Sequence, residues 1–472
     1  MKRSVAALVS LSVVIAAPAC RRSSPSNPLD GAYRFEQNGW IYVHLEGAPE
    51  RLGFQHGALL APEIAELLRV VKPFLQETSK RDWAFYRDAA ERILWPKIDT
   101  EYQAELDGIV AGAQSKGVTL DRWDIVALNA LEELPGYYVP WLEKQQGQAR
   151  STNAPDHCSA FIATGSYTAD RQIVMGHNNW TDYVTGARWN IIFDLKPQRG
   201  FRIIMDGLPG VIVSDDDFGI NSNGLMVTET TIEDFQGFDT AGTPEFFRAR
   251  KALQYGSSID DYVRIMRDRN NGGYANDWLV GDDKTSEIAL FELGLKEWSL
   301  RRTTDGYFVG ANFPVDPKLT AAETNFDVTN RGRSANARRV RWEQLMAENK
   351  GRVDAEIGER MESDAYDAFD RRQGPNERTL CGVVDYSPRG MPGWVGKFFP
   401  AGTVQSKVTD GQMASRMELF AAVGHPCAPD FQAEPFLAAH PEYGWMRGLL
   451  RDMKTEPWTL FSSGMGHPAA SR

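Results

Sequence analysis

The hydrophobic period of the chain changes at Cys158, and that change limits what the chain can fold into more than any other feature. Upstream, in "GALLAPEIAELLRVVKPFL", Leu59, Ile64, Leu67 and Leu68 fall close to one helical stripe, and "LDRWDIVALNALEEL" repeats the pattern. Residues 31–142 are therefore expected as a helical N-terminal region. Downstream, "SAFIAT", "RQIVMGH", "WNIIFDLKP", "FRIIMDGLPGVIVS" and "GLMVTETTI" are short β-rich runs parted by turn residues. A helical stretch from about Phe246 to Met266 follows, then strand-like runs in "DWLVGD", "EIALFELGLKEWSLRR" and "YFVGANF". Strands, helices, strands, helices is an order that predicts α+β layers rather than a doubly wound parallel sheet. Between the two regimes, Glu143 to His157 is polar and aperiodic, as an exposed loop would be.

With 472 residues and 42% hydrophobic content, the chain has room for two or three average domains or for one large unit with insertions. Its 63 acidic and 52 basic residues give a formal charge of −11. No basic stripe interleaved with aromatics offsets that balance, which excludes nucleic acid as a partner and leaves small molecules or lipids.

The N-terminus reads as a targeting segment of residues 1–20: Lys2 and Arg3, an apolar run from Val5 to Ala17, then "APAC" ending at Cys20. The run is too short to span a bilayer. The small residues before Cys20 resemble the lipobox of bacterial lipoproteins, with Ala17 where leucine is usual. A lipid on Cys20 would hold the protein at a membrane surface; the alternative is an ordinary secretory signal cleaved near Ala19. Residues 21–30, beginning "RRSSPSNP", form a flexible tether. The expectation is an exported protein of the bacterial cell envelope, lipid-anchored. Three cysteines then remain, an odd number outside the cytoplasm. Cys381 and Cys427 either bridge or do not, and Cys158 is the odd thiol.

Familiar chemistries are missing: there is no G-x-S-x-G elbow, Walker loop or H-E-x-x-H, and the seven histidines have no metal-ligand spacing. Asp215, Asp216 and Asp217 lie consecutively, so on a strand only part of the triplet can face one ligand, and structural hydrogen bonding is preferred to a metal. No metal and no cofactor is expected. Cys158 has two readings. It is a buried cysteine at a strand start, or a nucleophile freed by cleavage of the His157–Cys158 bond. In the second case the new α-amine, with a reference pKa of about 7.7 to 8.0, serves as the base beside the thiol.

Blocks along the chain favour the second reading. "LGFQHG" (Leu52 to Gly57), "HCSAFI" (His157 to Ile162), "GHNNW" (Gly176 to Trp180), "LPGVIVSDDDFGI" with "GLMVTETTI" (Leu208 to Ile232), and "NGGYANDWLVGD" (Asn271 to Asp282) occur in order. A weaker "KVTDGQMA" runs from Lys407 to Ala414, and Ala337 to Leu380 matches nothing. On these blocks the chain resembles the phospholipase B-like family, which includes the laminin ancestor precursor, within the N-terminal nucleophile hydrolases. The resemblance implies a four-layer αββα sandwich with its core over residues 158–472, a pro-loop at 143–157 and cleavage between His157 and Cys158.

By the same resemblance Cys158 takes the nucleophile's position. His177 and Asn178 stand where related enzymes carry Arg-Asn, and Trp180 where they carry aspartate, so His177 is expected to orient the thiolate or amine rather than pair charges. Asn276 matches an oxyanion-stabilising asparagine; otherwise it is a turn residue. Glu229 fixes the α-amine or a hydroxyl, or else faces solvent, and Asp216 is a weaker candidate of the same sort. The implied activity is removal of acyl chains from phospholipids or other acyl-bearing small molecules through a cysteine thioester. The alternatives are an N-acyl amide hydrolase or acyltransferase, and a non-catalytic lipid-binding lipoprotein.

Overall fold

The computed structural model describes residues 27–147, 158–214 and 218–466. Cys20, the cleavage-site residue His157 and the triplet Asp215 to Asp217 lie outside them. The first elements are two strands, β1 (Tyr33–Gln37) and β2 (Trp40–Gly47), which corrects the expectation of helix from residue 31. The physical reason is the turn between them: Asn38 and Gly39 both have positive φ, 46° and 77°, the pair of left-handed residues that closes a tight hairpin.

Helices then follow as α1 (Pro49–Leu59), α2 (Ala61–Thr78), α3 (Trp83–Ala89), α4 (Thr100–Ser115), α5 (Arg122–Leu128) and α6 (Val139–Gln145). After Cys158 come β3 (Ser159–Thr164), β4 (Val174–Asp182), the short α7 (Tyr183–Gly186), β5 (Ile191–Pro197), β6 (Ile203–Gly207), β7 (Phe218–Asn221) and β8 (Leu225–Thr231). Two helices, α8 (Glu245–Tyr255) and α9 (Ile259–Arg267), lead to β9 (Asn276–Asp282), β10 (Glu287–Leu293), β11 (Trp298–Thr303) and β12 (Gly306–Gly310). The remainder carries α10 (Pro317–Glu323), α11 (Ser334–Glu348), α12 (Ala355–Glu362), the ribbon β13 (Tyr366–Asp367) and β14 (Arg372–Gln373), then β15 (Ala401–Asp410), β16 (Glu418–Val423) and β17 (Thr459–Ser462).

The strands form a nine-stranded sheet, β1-β2-β5-β6-β7-β8-β9-β10-β11, and a six-stranded sheet, β12-β3-β4-β15-β16-β17. All neighbours are antiparallel except β2 and β5. Alternation of side chains gives each sheet two apolar faces. In β5, Ile191, Phe193 and Leu195 pack under the helices while Ile192 faces the other sheet. In β3, Ala160 and Ile162 face inward while Phe161 and Ala163 meet Trp342 and Met361 of α11 and α12. Helix, sheet, sheet, helix is thus the layering, the αββα sandwich expected from the sequence. Cys381 and Cys427 are joined in a disulfide, with Cα atoms 6.1 Å apart. Among the described residues no helix is long and apolar enough to cross a membrane.

The "LGFQHG" block has a packing role. Its two glycines place α1 against α4 backbone to backbone: a Cβ on Gly53 would stand 1.9 Å from the Glu105 carbonyl oxygen, and one on Gly57 2.0 Å from that of Ile109. His56 beside them accepts the Gly210 N–H at 2.8 Å through Nε2. Burial, helped by Arg250, lowers its pKa to about 3.

Two outcomes follow from this seam. Gly57→Ala forces the helices apart and should cost about 1–3 kcal/mol in urea unfolding. His56 is neutral when folded and titrates near 6.5 when unfolded, so the stability it provides is complete above pH 6.5. That stability falls by about 1.4 kcal/mol per unit as the pH drops from there towards about 3. Between pH 6.5 and 5, wild type should therefore lose about 2 kcal/mol more than His56→Gln; equal losses would show that His56 is not the group that titrates.

Candidate active site

Cys158 stands immediately before β3 and is fully buried. Two other sequence candidates meet it: the metal-ligating atoms of Cys158, His177 and Glu229 all lie within 4.8 Å of one another. The three come from different strands and are distant in sequence, which is why no motif spacing reveals them. Such a trio could also hold a soft divalent cation, although no metal was expected.

β4 delivers His177 to this inner face, registered opposite Ala160 on one side and Lys407 on the other. Burial first, and the Lys407 ammonium second, push the imidazole well below its usual range, so it is neutral at physiological pH. Lys407 is itself fully buried and pairs with Asp206 at 3.1 Å, which also accepts from Gln405 at 2.6 Å. Glu229 on β8 is fully buried rather than solvent-facing, and accepts the Tyr274 hydroxyl at 3.2 Å.

Asn178 does not join the cluster, because adjacent strand residues point to opposite faces. Its amide donates outward to the carbonyls of Glu362 at 2.7 Å and Leu380 at 3.0 Å, and Ser406 donates to its oxygen. Trp180 likewise points outward, its indole N–H on the Leu380 carbonyl at 3.2 Å.

Two residues that the sequence reading missed hold Cys158. Asn312, just past β12 and in the left-handed region at φ 68°, accepts the Cys158 N–H at 3.0 Å and donates to the Thr231 carbonyl at 2.9 Å. Arg338 on α11 is fully buried; it donates to the Cys158 carbonyl, to Ser159 Oγ at 3.1 Å and to Asn312 Oδ1 at 2.9 Å. Its guanidinium lies 4.4 Å from the centre of the Trp180 ring. Burial lowers its pKa to about 10, opposed by Glu233 and Cys158, so it remains cationic at neutral pH. Asn312 sat in view within "YFVGANF", at the end of a readable strand. Arg338 lies in the unmatched stretch, and a buried arginine leaves no periodic signal.

Asn276 opens β9 opposite Thr231, whose carbonyl receives Asn312. It is fully buried, and neither amide atom has a hydrogen-bond partner among the described residues. A buried amide in that state costs free energy unless something else receives it.

A sequence profile described as Phospholipase B matches residues 65–290. An uncharacterised protein of Archaeoglobus fulgidus is 24% identical over 289 residues, 56% of this chain and 45% of that protein. A protein named Phospholipase B from Crotalus adamanteus is 22% identical over 414 residues, 75% of this chain and 70% of that one. A mutant conjugated bile acid hydrolase from Clostridium perfringens matches in structure with a TM-score of 0.32 and 10% identity, covering 56% of this chain and 88% of that chain. The chain spans less than half the length of the first curated relatives it matches, from 26% to 48%. The family of the profile is the one that the sequence blocks resemble.

Removing the guanidinium leaves Asn312 and the Cys158 carbonyl short of a charged donor. Arg338→Met should cost about 3 kcal/mol or more in urea unfolding, and Arg338→Lys, which keeps charge but not the planar fork, should recover only part of it. A loss under 1 kcal/mol for the methionine variant would show that the bonds are not structural.

Proposed function

We propose that this chain, whose residues 65–290 carry the phospholipase B pattern, is a self-processing hydrolase of lipid acyl bonds with Cys158 as its nucleophile. The observation that carries the reading is the buried meeting of Cys158, His177 and Glu229 at the head of β3.

In processing, the Cys158 thiol adds to the His157 carbonyl carbon, the peptide C–N bond breaks, and the acyl group moves to sulfur. Water hydrolyses that thioester, leaving a carboxylate on His157 and a free α-amine on Cys158. Asn312 Oδ1, which receives the Cys158 N–H, is placed to receive the amine. In turnover the amine takes the thiol proton and sulfur attacks the substrate carbonyl. Asn276 donates to the oxygen that becomes negative, and the ammonium returns its proton to the leaving group. Water, deprotonated by the same amine, then releases the fatty acid. The Arg338 charge beside Cys158 stabilises negative charge on sulfur, and the neutral His177 ring orients the thiolate or amine. Glu229 is the carboxylate that fixes the ammonium.

The protein is proposed to act after export, held at the envelope by lipid on Cys20. Detergent partitioning of the native protein, lost in Cys20→Ala, tests that part separately.

Wild type should run as two associated fragments, the second beginning at Cys158, and should release fatty acid from lysophospholipids or diacyl phospholipids. Cys158→Ala should stay one inactive chain, and Asn276→Ala should lose roughly a hundredfold in kcat. An uncleaved wild type that still hydrolyses substrate would sink the nucleophile assignment. Turnover confined to N-acyl amides in the same panel would move the activity to amide bonds.

A further inference from the structure

A groove of about 670 Å³ lies between α8, α9 and the edge strand β11, on the helical side of the larger sheet. No residue of the Cys158 cluster lines it. Its floor is apolar: Phe247 comes from α8, Val263 from α9, and Trp298 and Leu300 stand on the helix-facing side of β11, opposite Leu293 and Phe291. The size is that of a small-molecule site.

Five cations, Arg248, Lys251, Arg264, Arg267 and Arg269, line the groove together with two carboxylates, Asp260 and Asp268. Most of these charges are already answered. Lys251 reaches Asp99 and Arg264 reaches Asp261, each at 2.7 Å. Asp260 is held by Arg302. Arg248 is buried, donates to the Thr243 carbonyl at 3.1 Å and to the Met266 carbonyl, and acts on the Glu133 carboxyl. Arg267 and Arg269 differ: both are exposed, and neither has a carboxylate partner among the described residues. The Arg267 guanidinium lies 3.6 Å from the centre of the exposed Trp298 ring, which holds this long side chain at the rim. With Asp268 between the two arginines, the rim keeps one net positive charge.

Thr243 gives the second observation. It lines the groove at 2% exposure, and its Oγ1 has no hydrogen-bond partner among the described residues. Its N–H donates to the Arg269 carbonyl at 2.6 Å, so the hydroxyl stands beside Arg269. A buried hydroxyl in that state costs free energy unless something in the groove receives it.

Two planar guanidinium forks and one hydroxyl around an apolar floor match an anion with several oxygens carried on an apolar body, and a phosphate ester is that group. An ammonium would meet cations at the rim. We propose that this groove is a second binding site, separate from the Cys158 cluster, for the phosphate of a phosphoester, whether the head of an anionic phospholipid in a membrane surface or a free phosphate ester. It goes beyond the hydrolase reading and stands whether or not that reading does.

The test uses the full chain carrying Cys20→Ala, so that no lipid of its own holds it to a membrane. Calorimetry with phenyl phosphate reads the free ester, with phenyltrimethylammonium as the cationic control. Co-sedimentation with vesicles of phosphatidylcholine, alone or mixed with phosphatidylglycerol, reads the membrane head group. The protein should bind phenyl phosphate and not the cation, or pellet with the mixed vesicles and not with phosphatidylcholine alone; the arm that responds identifies the source. In that arm Arg267→Gln and Arg269→Gln should each weaken binding about tenfold, with native near-ultraviolet circular dichroism. Thr243→Val should also weaken it without lowering the melting temperature, because the hydroxyl it removes has no partner in the fold. Arg331→Gln, the same charge lost from another exposed position, should change nothing. No binding in either arm, equal binding of the cation, binding unmoved by Arg269→Gln and Thr243→Val, or an equal loss in Arg331→Gln would each overturn the proposal.

Discussion

The Arg338 guanidinium is the contact through which the two halves of the site are held in one geometry. Taking a cation out of water into this position is costly, and the cost is offset by bonds to the Cys158 carbonyl, Ser159 Oγ and Asn312 Oδ1 together with the face of Trp180. Those partners belong to the start of β3, the turn two residues past β12 and the outer face of β4, so one side chain sets the spacing of three neighbouring strands of the smaller sheet. The Cys158 N–H is aimed at Asn312 because Arg338 fixes Asn312 from the other side.

The space between the sheets is less apolar than a sandwich core needs to be. Alongside Ile162, Ile192 and Leu279 it holds the Lys407–Asp206 pair and His177. Buried ionic groups seldom raise stability over a well-packed apolar set; here they create a fixed field around a thiol. Lys407 helps keep His177 neutral, so the positive charge near Cys158 comes from Arg338, whose protonation does not change around neutral pH.

Much of this was legible beforehand, for reasons that can be named. The change of period at Cys158 is a change in how side chains alternate, and it survives without any knowledge of partners. The blocks around Cys158, His177 and Glu229 pointed to residues that do converge. Asn178 was misplaced because a block carries no information about which face a residue takes: its neighbour His177 turns inward, and Asn178 binds α12 and the Leu380 carbonyl instead. The β1–β2 hairpin had a local signal in Asn38-Gly39 that the long helical stripe after it outweighed. Arg338 had none, since its partners lie as much as 180 positions away.

The larger sheet is drawn from both sides of Cys158: β2 lies parallel to β5, with Ile41 to Gly47 matched against Ile191 to Pro197. If the chain is opened before Cys158, that seam and the packing beneath it cease to be intramolecular. The intact chain folds at a rate independent of its concentration. Once opened, two polypeptides must meet to regain the same contacts, and each bears a loss of translational freedom that the tethered pieces never had. Opening would therefore act as a ratchet: the folded state keeps its contacts, while the route back to it after unfolding lengthens as the protein becomes dilute. Its working lifetime would then be set by how slowly it comes apart rather than by how well it refolds.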